Sequence, residues 1–361
     1  MTQTNSKAAL GPGRMLVVLP NWLGDTVMAS PTLRTLRETF PQSYIAYLGC
    51  SGPLAVLADA PWADATIESS RPGGAEYRQK FFTLVKKISR EHFDWAVLLP
   101  NSFSSALMVC LAKIMRRIGY ERDGRGLLLT DRQLPAKENG KFVAGPMIRY
   151  YLALASYLGA QELNTNMELF TNRSDEKTID RRLSEWDIDP DCGLLLVHPG
   201  GGFGPSKRWP AERFAQVADT LSERFNLAVA ISAGPSERDV AESVRKTMNH
   251  RAVNLAEYNI SIGELKALVR RSRLLISNDT GPRHLAAAFG VPVITIFGST
   301  DPAWTDTFFN GERIVQVKVS CGPCQKKTCK EDHRCMELIT PQMVLKAAEE
   351  LLKISKIKVQ K

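Results

Sequence analysis

The sequence predicts an α/β chain in two halves, each built on a parallel sheet covered by helices on both faces. Three observations carry this. Short apolar runs of buried-strand type alternate with amphipathic segments at helical spacing, as a parallel sheet with crossover helices requires. The pattern starts again near residue 176, after a polar, unpatterned stretch at 164–175 that reads as an inter-domain linker. Every loop of unusual composition follows a strand, at the carboxyl end where open parallel sheets bind ligands. The 361 residues are enough for two sizeable cores.

In the first half, Met15-Leu16-Val17-Val18-Leu19 reads as a buried strand after a polar, disordered leader. A turn at 20–25 leads to a helix over 26–40 with Met28, Leu33 and Leu36 inward. Strands follow at 44–48 and 65–68, with a short helix at 54–59 between them and a loop at 71–74 after them. Residues 77–89 place Phe81, Leu84, Val85 and Ile88 on one helical stripe. A strand at 95–99 ends in Pro100-Asn101-Ser102-Phe103. Residues 113–125 are strongly basic and read as a solvated helix face and loop, or as a docking surface for a phosphorylated substrate. A helix at 147–157 turns Ile148, Tyr151, Leu152 and Ala155 inward.

The second half gives a helix at 176–186, a strand at 194–197 and a glycine-rich loop, then a helix at 211–225 with Phe214, Val217, Ala218 and Leu221 on its apolar face. Strand 227–231, helix 238–248, strand 253–255 and helix 262–270 lead to the apolar run Leu274-Leu275-Ile276. A small-residue helix, a buried strand at 293–297 and a terminal helix at 338–355 complete the reading.

Apolar residues make up 44% and charged residues 24% of the chain, which is ordinary for a globular protein. The formal charge of +9 suggests an anionic partner without choosing among nucleic acid, membrane surface and acidic substrate. No signal-peptide core and no run of ~20 apolar residues is present. The expectation is a cytoplasmic protein, whose cysteines are thiols or metal ligands rather than disulfides.

The loop Ser277-Asn278-Asp279-Thr280-Gly281-Pro282-Arg283-His284 joins a buried strand to a helix. Thr280 can cap, Gly281 allows close backbone approach, and Pro282 suits a first helical turn. Such a loop is either an ordinary capped turn or an anion site, with phosphate the natural occupant. The loop from Gly200 to Lys207 offers glycines and a lysine, as a phosphate cradle would. It is neither G-x-x-x-x-G-K-[ST] nor part of a G-x-G-x-x-G fingerprint, which argues against the common NTPase and dehydrogenase readings. Glu237 can accept hydrogen bonds from ribose hydroxyls, or is simply a helix-start carboxylate. Asp25 is an N-cap or a general base. The patterns Asp187-Ile188-Asp189 and Asp189-Pro190-Asp191 precede a strand, at the wrong edge for metal-assisted sugar-nucleotide chemistry, and read as a polar turn. Cys321, Cys324, Cys329 and Cys335, with His333 among them, fit a structural zinc by number and less well by spacing; free thiols or disulfides are the alternatives. Cys50, Cys110 and Cys192 read as small buried apolar residues.

Four separated motifs occur in order: Pro20-Asn21-Trp22-Leu23-Gly24-Asp25, Leu99-Pro100-Asn101-Ser102-Phe103, Phe203-Gly204-Pro205-Ser206-Lys207-Arg208-Trp209-Pro210, and Asn278-Asp279-Thr280-Gly281 with His284. With them the chain resembles, over nearly its whole length, the ADP-heptose:lipopolysaccharide heptosyltransferases of glycosyltransferase family 9, most like the heptosyltransferase II branch. The resemblance implies a GT-B fold, two Rossmann-like domains with parallel sheets facing across a cleft. The acceptor-binding domain would span 1–170 and the ADP-heptose-binding domain 171–337. A helix over 338–361 would pack back on the first domain. It implies inverting transfer of L-glycero-D-manno-heptose from ADP-heptose to the inner-core heptose of a Kdo–lipid A acceptor, on the cytoplasmic side and in peripheral contact with the inner membrane surface, without nucleic acid. The neighbouring readings are a family 9 transferase with another acceptor and a sugar-nucleotide epimerase. By resemblance Asp25 is the base, and Asn101 and Ser102 contact the acceptor. Lys207 contacts the diphosphate, Glu237 the ribose and Asp279 the donor heptose, while Thr280, Gly281 and His284 complete the donor loop. No cofactor is implied for the chemistry.

Overall fold

A computed structural model describes residues 11–70, 75–189 and 192–359. The leader at 1–10, the loop expected at 71–74, and Pro190 and Asp191 of the second D-x-D pattern lie outside the described residues. The chain divides into two compact units. One runs to Ala55 and from Ala60 to Thr165; the other takes Val56–Asp59 and continues from Asn166.

The first unit is a six-stranded sheet ordered β3-β2-β1-β4-β5-β6, parallel throughout. Its elements are β1 (Arg14–Val18), α1 (Leu23–Thr39), β2 (Tyr44–Gly49), α2 (Ser51–Val56), β3 (Ala65–Glu68), α3 (Ala75–Arg90), β4 (Trp95–Leu98), α4 (Phe103–Leu111), β5 (Arg116–Tyr120) and β6 (Asp131–Gln133). A small hairpin, β7 (Lys137–Glu138) with β8 (Lys141–Phe142), and α5 (Met147–Tyr157) follow. Leu16, Val18, Ala96 and Leu98 point from the middle of the sheet into a core with Phe81, Val85 and Ile88 of α3 and Val109 of α4. Both faces of these strands are buried, which is why their sequence is continuously apolar rather than alternating.

The second unit repeats the winding, with parallel strand order β11-β10-β9-β12-β13-β14. It consists of α6 (Arg173–Glu185), β9 (Gly193–His198), α7 (Ala211–Phe225), β10 (Leu227–Ile231), α8 (Arg238–Thr247), β11 (Ala252–Asn254), α9 (Ile262–Arg271), β12 (Ser272–Asn278), α10 (Gly281–Ala288), β13 (Val293–Phe297), β14 (Glu312–Gln316), α11 (Arg334–Glu337) and α12 (Pro341–Val359). The predicted stripe of α7 is buried, and Trp209 lies edge-on to Phe214 at 5.0 Å. Asn226 ends α7 in the left-handed conformation that asparagine tolerates. A capping box between Ser261 and Glu264 starts α9. Val344, Ala348, Leu351 and Leu352 of α12 join the core of this unit, where the helix packs on α7, β13 and β14.

The fold departs from the sequence reading at several elements. Part of the basic stretch at 113–125 is a strand, β5: Arg116 spends its charge on Asp131 and its guanidinium plane on Trp95, so it does not need a solvated helix face. The helix α4 follows Ser102 directly, in a stretch to which the sequence reading assigns no element. The strand β14 was not anticipated. The terminal helix begins at Pro341 rather than at 338, because proline fits a first turn and not a helix interior.

Candidate functional site

Each sheet reverses its winding direction between two central strands, and in the second unit this point lies between the ends of β9 and β12. Both sheets have the order that creates a crevice there. Asn278, fully buried, ties the two strand ends together. Its side-chain amide donates to the carbonyls of Pro199 (2.8 Å) and Gly200 (3.0 Å), and its Oδ1 accepts from the Trp209 N–H (3.3 Å).

The next residue, Asp279, is the electrostatic centre. Its Oδ2 accepts from Lys207 Nζ at 2.5 Å and from Thr300 Oγ1 at 2.8 Å, and its Oδ1 accepts from Arg283 Nη1 at 2.8 Å. Lys207 Nζ also donates to the Asp279 carbonyl at 3.0 Å. Burial alone would raise the Asp279 pKa. The charges of Arg283 and Lys207, with the hydrogen bonds from Lys207 and Thr300, outweigh it and hold the carboxyl well below the usual carboxylate range.

Thr280 precedes α10 in extended conformation, but its hydroxyl makes no cap hydrogen bond, contrary to the expectation that it caps the helix. Gly281 and Pro282 occupy the first turn as expected. His284 is buried, and its Nδ1 has no hydrogen-bond partner among the described residues. Burial, reinforced by the charge of Arg283, pushes its pKa well below the ordinary histidine value.

Glu237 lies just before α8 and is also buried. Its Oε1 accepts from the Gly201 N–H at 2.7 Å and from Arg208 Nη2 at 3.1 Å, which anchors the glycine-rich loop to β10. A side chain on Gly200 would collide with Glu237 Oε2 and crowd His198 Nε2, so the glycine is required by the approach of these two groups. His198 Nδ1 pairs with Ser232 Oγ at 2.9 Å. Burial lowers its pKa to about 4 against an opposing effect of Glu237, so the ring is neutral at physiological pH. Lys207 thus joins Asp279, and Glu237 joins the loop carrying Lys207, in one crevice.

In the first unit the strand ends at the corresponding crevice carry the other sequence candidates. Asp25 is the third residue of α1, because the helix starts at Leu23 with Trp22 as the residue before it. It is therefore not the N-cap that one reading of the sequence offered. Burial first, and then the Asp25 carboxylate, hold the Tyr151 hydroxyl well above the usual phenol range. Asn101 accepts through its Oδ1 from Tyr150 OH (3.0 Å) and Arg125 Nη2 (3.3 Å). Ser102 caps α4 by accepting from the Ser105 N–H at 3.3 Å. Arg125 has no exposed surface and also donates to the carbonyls of Pro100 and Tyr120; burial lowers its pKa to about 10. Beyond Tyr120 the chain lines a cavity of about 320 Å³ with Arg122, Arg132 and Lys137, the acids Glu121 and Asp123, and the apolar Leu127 and Phe142. Arg122 stacks over the Phe142 ring, its guanidinium carbon lying 3.9 Å from the centroid.

The profile described as glycosyltransferase family 9 (heptosyltransferase) matches residues 81–334, well over half of the chain. The chain belongs to glycosyltransferase family 9. It is 27% identical to lipooligosaccharide heptosyltransferase 2 of Campylobacter jejuni, over 95% of this chain and 99% of that one. Among solved structures it is similar to the ADP-heptose lipopolysaccharide heptosyltransferase II of Escherichia coli (TM-score 0.78, 24% identity, 95% of this chain and 99% of that one). It is also similar to a family 9 glycosyl transferase of Veillonella parvula (TM-score 0.81, 21% identity, 95% and 98%). These neighbours share the GT-B fold.

In this glycosyltransferase the cysteine-rich segment is a buttress for the Lys207 loop. Ser206 donates its N–H to the Lys327 carbonyl (3.1 Å) and its hydroxyl to the Lys326 carbonyl (2.5 Å), and its own carbonyl meets His333 Nε2 at 2.9 Å. Gln325 donates its N–H to the Ser299 carbonyl at 2.8 Å. A side chain on Gly204 would collide with the Lys327 backbone. All seven cysteines are free thiols, and Cys110 and Cys192 are half-buried rather than buried. Among the described residues no group of three or more His, Cys, Asp or Glu side chains is placed to hold a metal ion. Cys335 is buried, whereas Cys321 is exposed. The structure therefore gives no support to the structural zinc expected at Cys321, Cys324, Cys329 and Cys335.

Sequence reasoning singled out Lys207, Glu237 and Asp279 but gave no role to Arg283, Glu312, Thr300, His198 or Asn278. Asn278 stood in a quoted motif without a role, and Arg283 carried a signal of its own, four residues after Asp279 at a helix start and so on the same face.

Proposed function

We propose that this chain is a heptosyltransferase that moves heptose from ADP-heptose to the inner-core heptose of a Kdo–lipid A-type glycolipid, with inversion at the anomeric carbon. The observation that carries the reading is the Lys207–Asp279–Arg283 cluster at the β9/β12 crevice of a family 9 chain. Lys207 would contact the donor diphosphate, helped by the amino end of α10 at Thr280 and Gly281. Glu237 would contact the ribose, Asp279 the heptose, and His284 would back the loop from behind. Asp25 would act as general base. The acceptor hydroxyl loses its proton to Asp25 as its oxygen bonds to the anomeric carbon, and the bond from that carbon to the diphosphate breaks, releasing ADP. Lys207 and the helix end would stabilise the charge gathering on the leaving group.

The geometry of Asn101 and Ser102 supports an indirect part for both: their polar atoms hold Arg125, Tyr150 and α4, which shape the loop after β4. The cavity with Arg122, Arg132 and Lys137 supports a place for the acceptor's anionic groups, with Leu127 and Phe142 against its apolar surface. A basic, partly apolar mouth of this kind also suits peripheral contact with an anionic membrane face. Among the described residues no helix is long and apolar enough to cross a membrane.

The test is mass spectrometry of products from ADP-heptose and a purified Kdo–lipid A carrying the first heptose. One added heptose with release of ADP is the expected result. Consumption of ADP-heptose without any acceptor would favour an epimerase and overturn the transferase reading.

A further inference from the structure

Arg283 stands where a helix tolerates a cation least. It is the third residue of α10, at the positive end of that helix's dipole, and it has no exposed surface. A charge so placed persists only when it is paired and its donors are used. All of them are. Nε donates to Glu312 Oε1 (2.9 Å), Nη1 to Asp279 Oδ1 (2.8 Å) and Thr305 Oγ1 (2.9 Å), and Nη2 to the Thr305 carbonyl (2.9 Å) and Glu312 Oε2 (3.3 Å). Glu312, the first residue of β14, is held in turn by the hydroxyls of Thr295 and Thr307. No face of Arg283 is left for a ligand.

Lys207 is bonded to the same carboxylate from the other side, at Oδ2. Around the crevice the cations Lys207, Arg208 and Arg283 balance the anions Glu237, Asp279 and Glu312, so the charges close without any ligand. A diphosphate that draws Lys207 away would strand Asp279 as a buried carboxylate unless a second cation stays behind. Arg283 is that cation. It is anchored on a different oxygen from Lys207 and on Glu312 of the edge strand β14.

We propose that Arg283 is a positioning residue: it keeps Asp279 neutralised and fixed in orientation, and so frees the Lys207 ammonium for the donor diphosphate. Glu312 holds Arg283 in place and competes with Asp279 for its charge. The proposal rests on the reading of Lys207 as the diphosphate contact.

ADP binding by calorimetry on the full chain tests it, with circular dichroism and thermal melts to confirm folding. Glu312→Gln keeps the shape and gives Asp279 a larger share of the Arg283 charge, so ADP should bind as tightly as to wild type or up to about fivefold tighter. Arg283→Met with Glu312→Gln removes the buried pair together and leaves Lys207 as the sole counter-ion of Asp279; ADP affinity should fall about tenfold or more. Adding Asp279→Asn to that pair removes the carboxylate that captures Lys207 and should bring affinity back to within about threefold of wild type. A purely structural role would weaken binding in both of the first two variants and would not be rescued by the third; either result overturns the proposal. Should the Arg283→Met pair fail to fold, weaker binding by Glu312→Gln alone overturns it, and equal or tighter binding supports it. Lys207→Ala runs alongside: unchanged ADP affinity there removes the diphosphate reading itself, whatever the Arg283 variants do.

Discussion

Lys207 Nζ and Asp279 Oδ2 lie 2.5 Å apart in the second unit, with the lysine side chain 11% and the aspartate 6% exposed. A pair this buried costs desolvation on both sides and is weak grounds for a stability role. Lys207 ends a single 3-10 turn, Pro205–Lys207, and Asp279 lies just past a strand end, so no α-helix or ladder requires them to meet. The pairing makes sense as the resting state of a site whose cation is lent to an anionic ligand.

Lys207→Ala should therefore weaken ADP and ADP-heptose together. One charge-assisted contact is lost, at roughly 1.5–3 kcal/mol. The fold should survive, because Arg283 and Thr300 still satisfy Asp279. Calorimetric titration with ADP reads the loss directly, and an affinity equal to wild type would take Lys207 out of the diphosphate site.

His198 should make the second unit acid-sensitive. The unfolded ring takes up a proton near pH 6.5 and the folded one only near 4, because burial disfavours its charged form. Between these values the unfolded chain binds more protons, so stability falls as pH is lowered through that window, by a total on the order of 3 kcal/mol. His284 is shifted in the same direction by burial and Arg283, and adds to the effect. His198→Gln should lose only part of this slope. Urea midpoints at pH 7 and pH 5 for both proteins measure it, and equal slopes would show that His198 does not titrate as a buried neutral ring.

Much of this was legible in the sequence, and the omissions have physical causes. Strands buried on both faces announce themselves as apolar runs, unbroken in Leu227–Ile231 and interrupted by Thr295 alone in Val293–Phe297, and α7 does so through its stripe. The strand β5 hides because its first two residues are arginines whose charges are absorbed by Asp131, Trp95 and the Leu128 carbonyl. The strand β14 hides because it is an edge: Ile314 is 45% exposed and Glu312 turns inward, the reverse of the expected pattern. The same inversion concealed half of the site. Asp279 and Lys207 stand in loops of unusual composition, but the partnership of Arg283 with Glu312 arises only when β14 pairs with β13 in register, and no local spacing encodes that.

Arg125→Met should destabilise the first unit. The change leaves the Pro100 carbonyl without its donor, takes one of two donors from the Tyr120 carbonyl, which keeps the Arg122 N–H, and releases Asn101 from one of its two partners. A buried carbonyl left unpaired costs about 1–3 kcal/mol, so a loss of roughly 2 kcal/mol is expected. Denaturant unfolding followed by tryptophan fluorescence gives the value. A midpoint unchanged from wild type would mean that solvent reaches the Pro100 carbonyl and that Arg125 is dispensable to the loop.

Asp25→Asn is the most direct test of the proposed chemistry. The residue is the third of α1 and not its cap, so no capping bond is lost; the weakened carboxylate–dipole interaction costs about 0.3–1 kcal/mol, and the helix should remain. An amide cannot accept a proton at neutral pH, and turnover should fall by ~10²–10⁴ if Asp25 is the general base. ADP affinity should stay near wild type, because the residues proposed to hold ADP all belong to the second unit and Asp25 to the first. The two readouts separate the alternatives. Loss of turnover together with loss of ADP binding would indicate a misfolded or rearranged protein, which a thermal melt would expose. Turnover within a few-fold of wild type in a folded variant would falsify the base assignment and leave Asp25 as a helix-start carboxylate beside Tyr151.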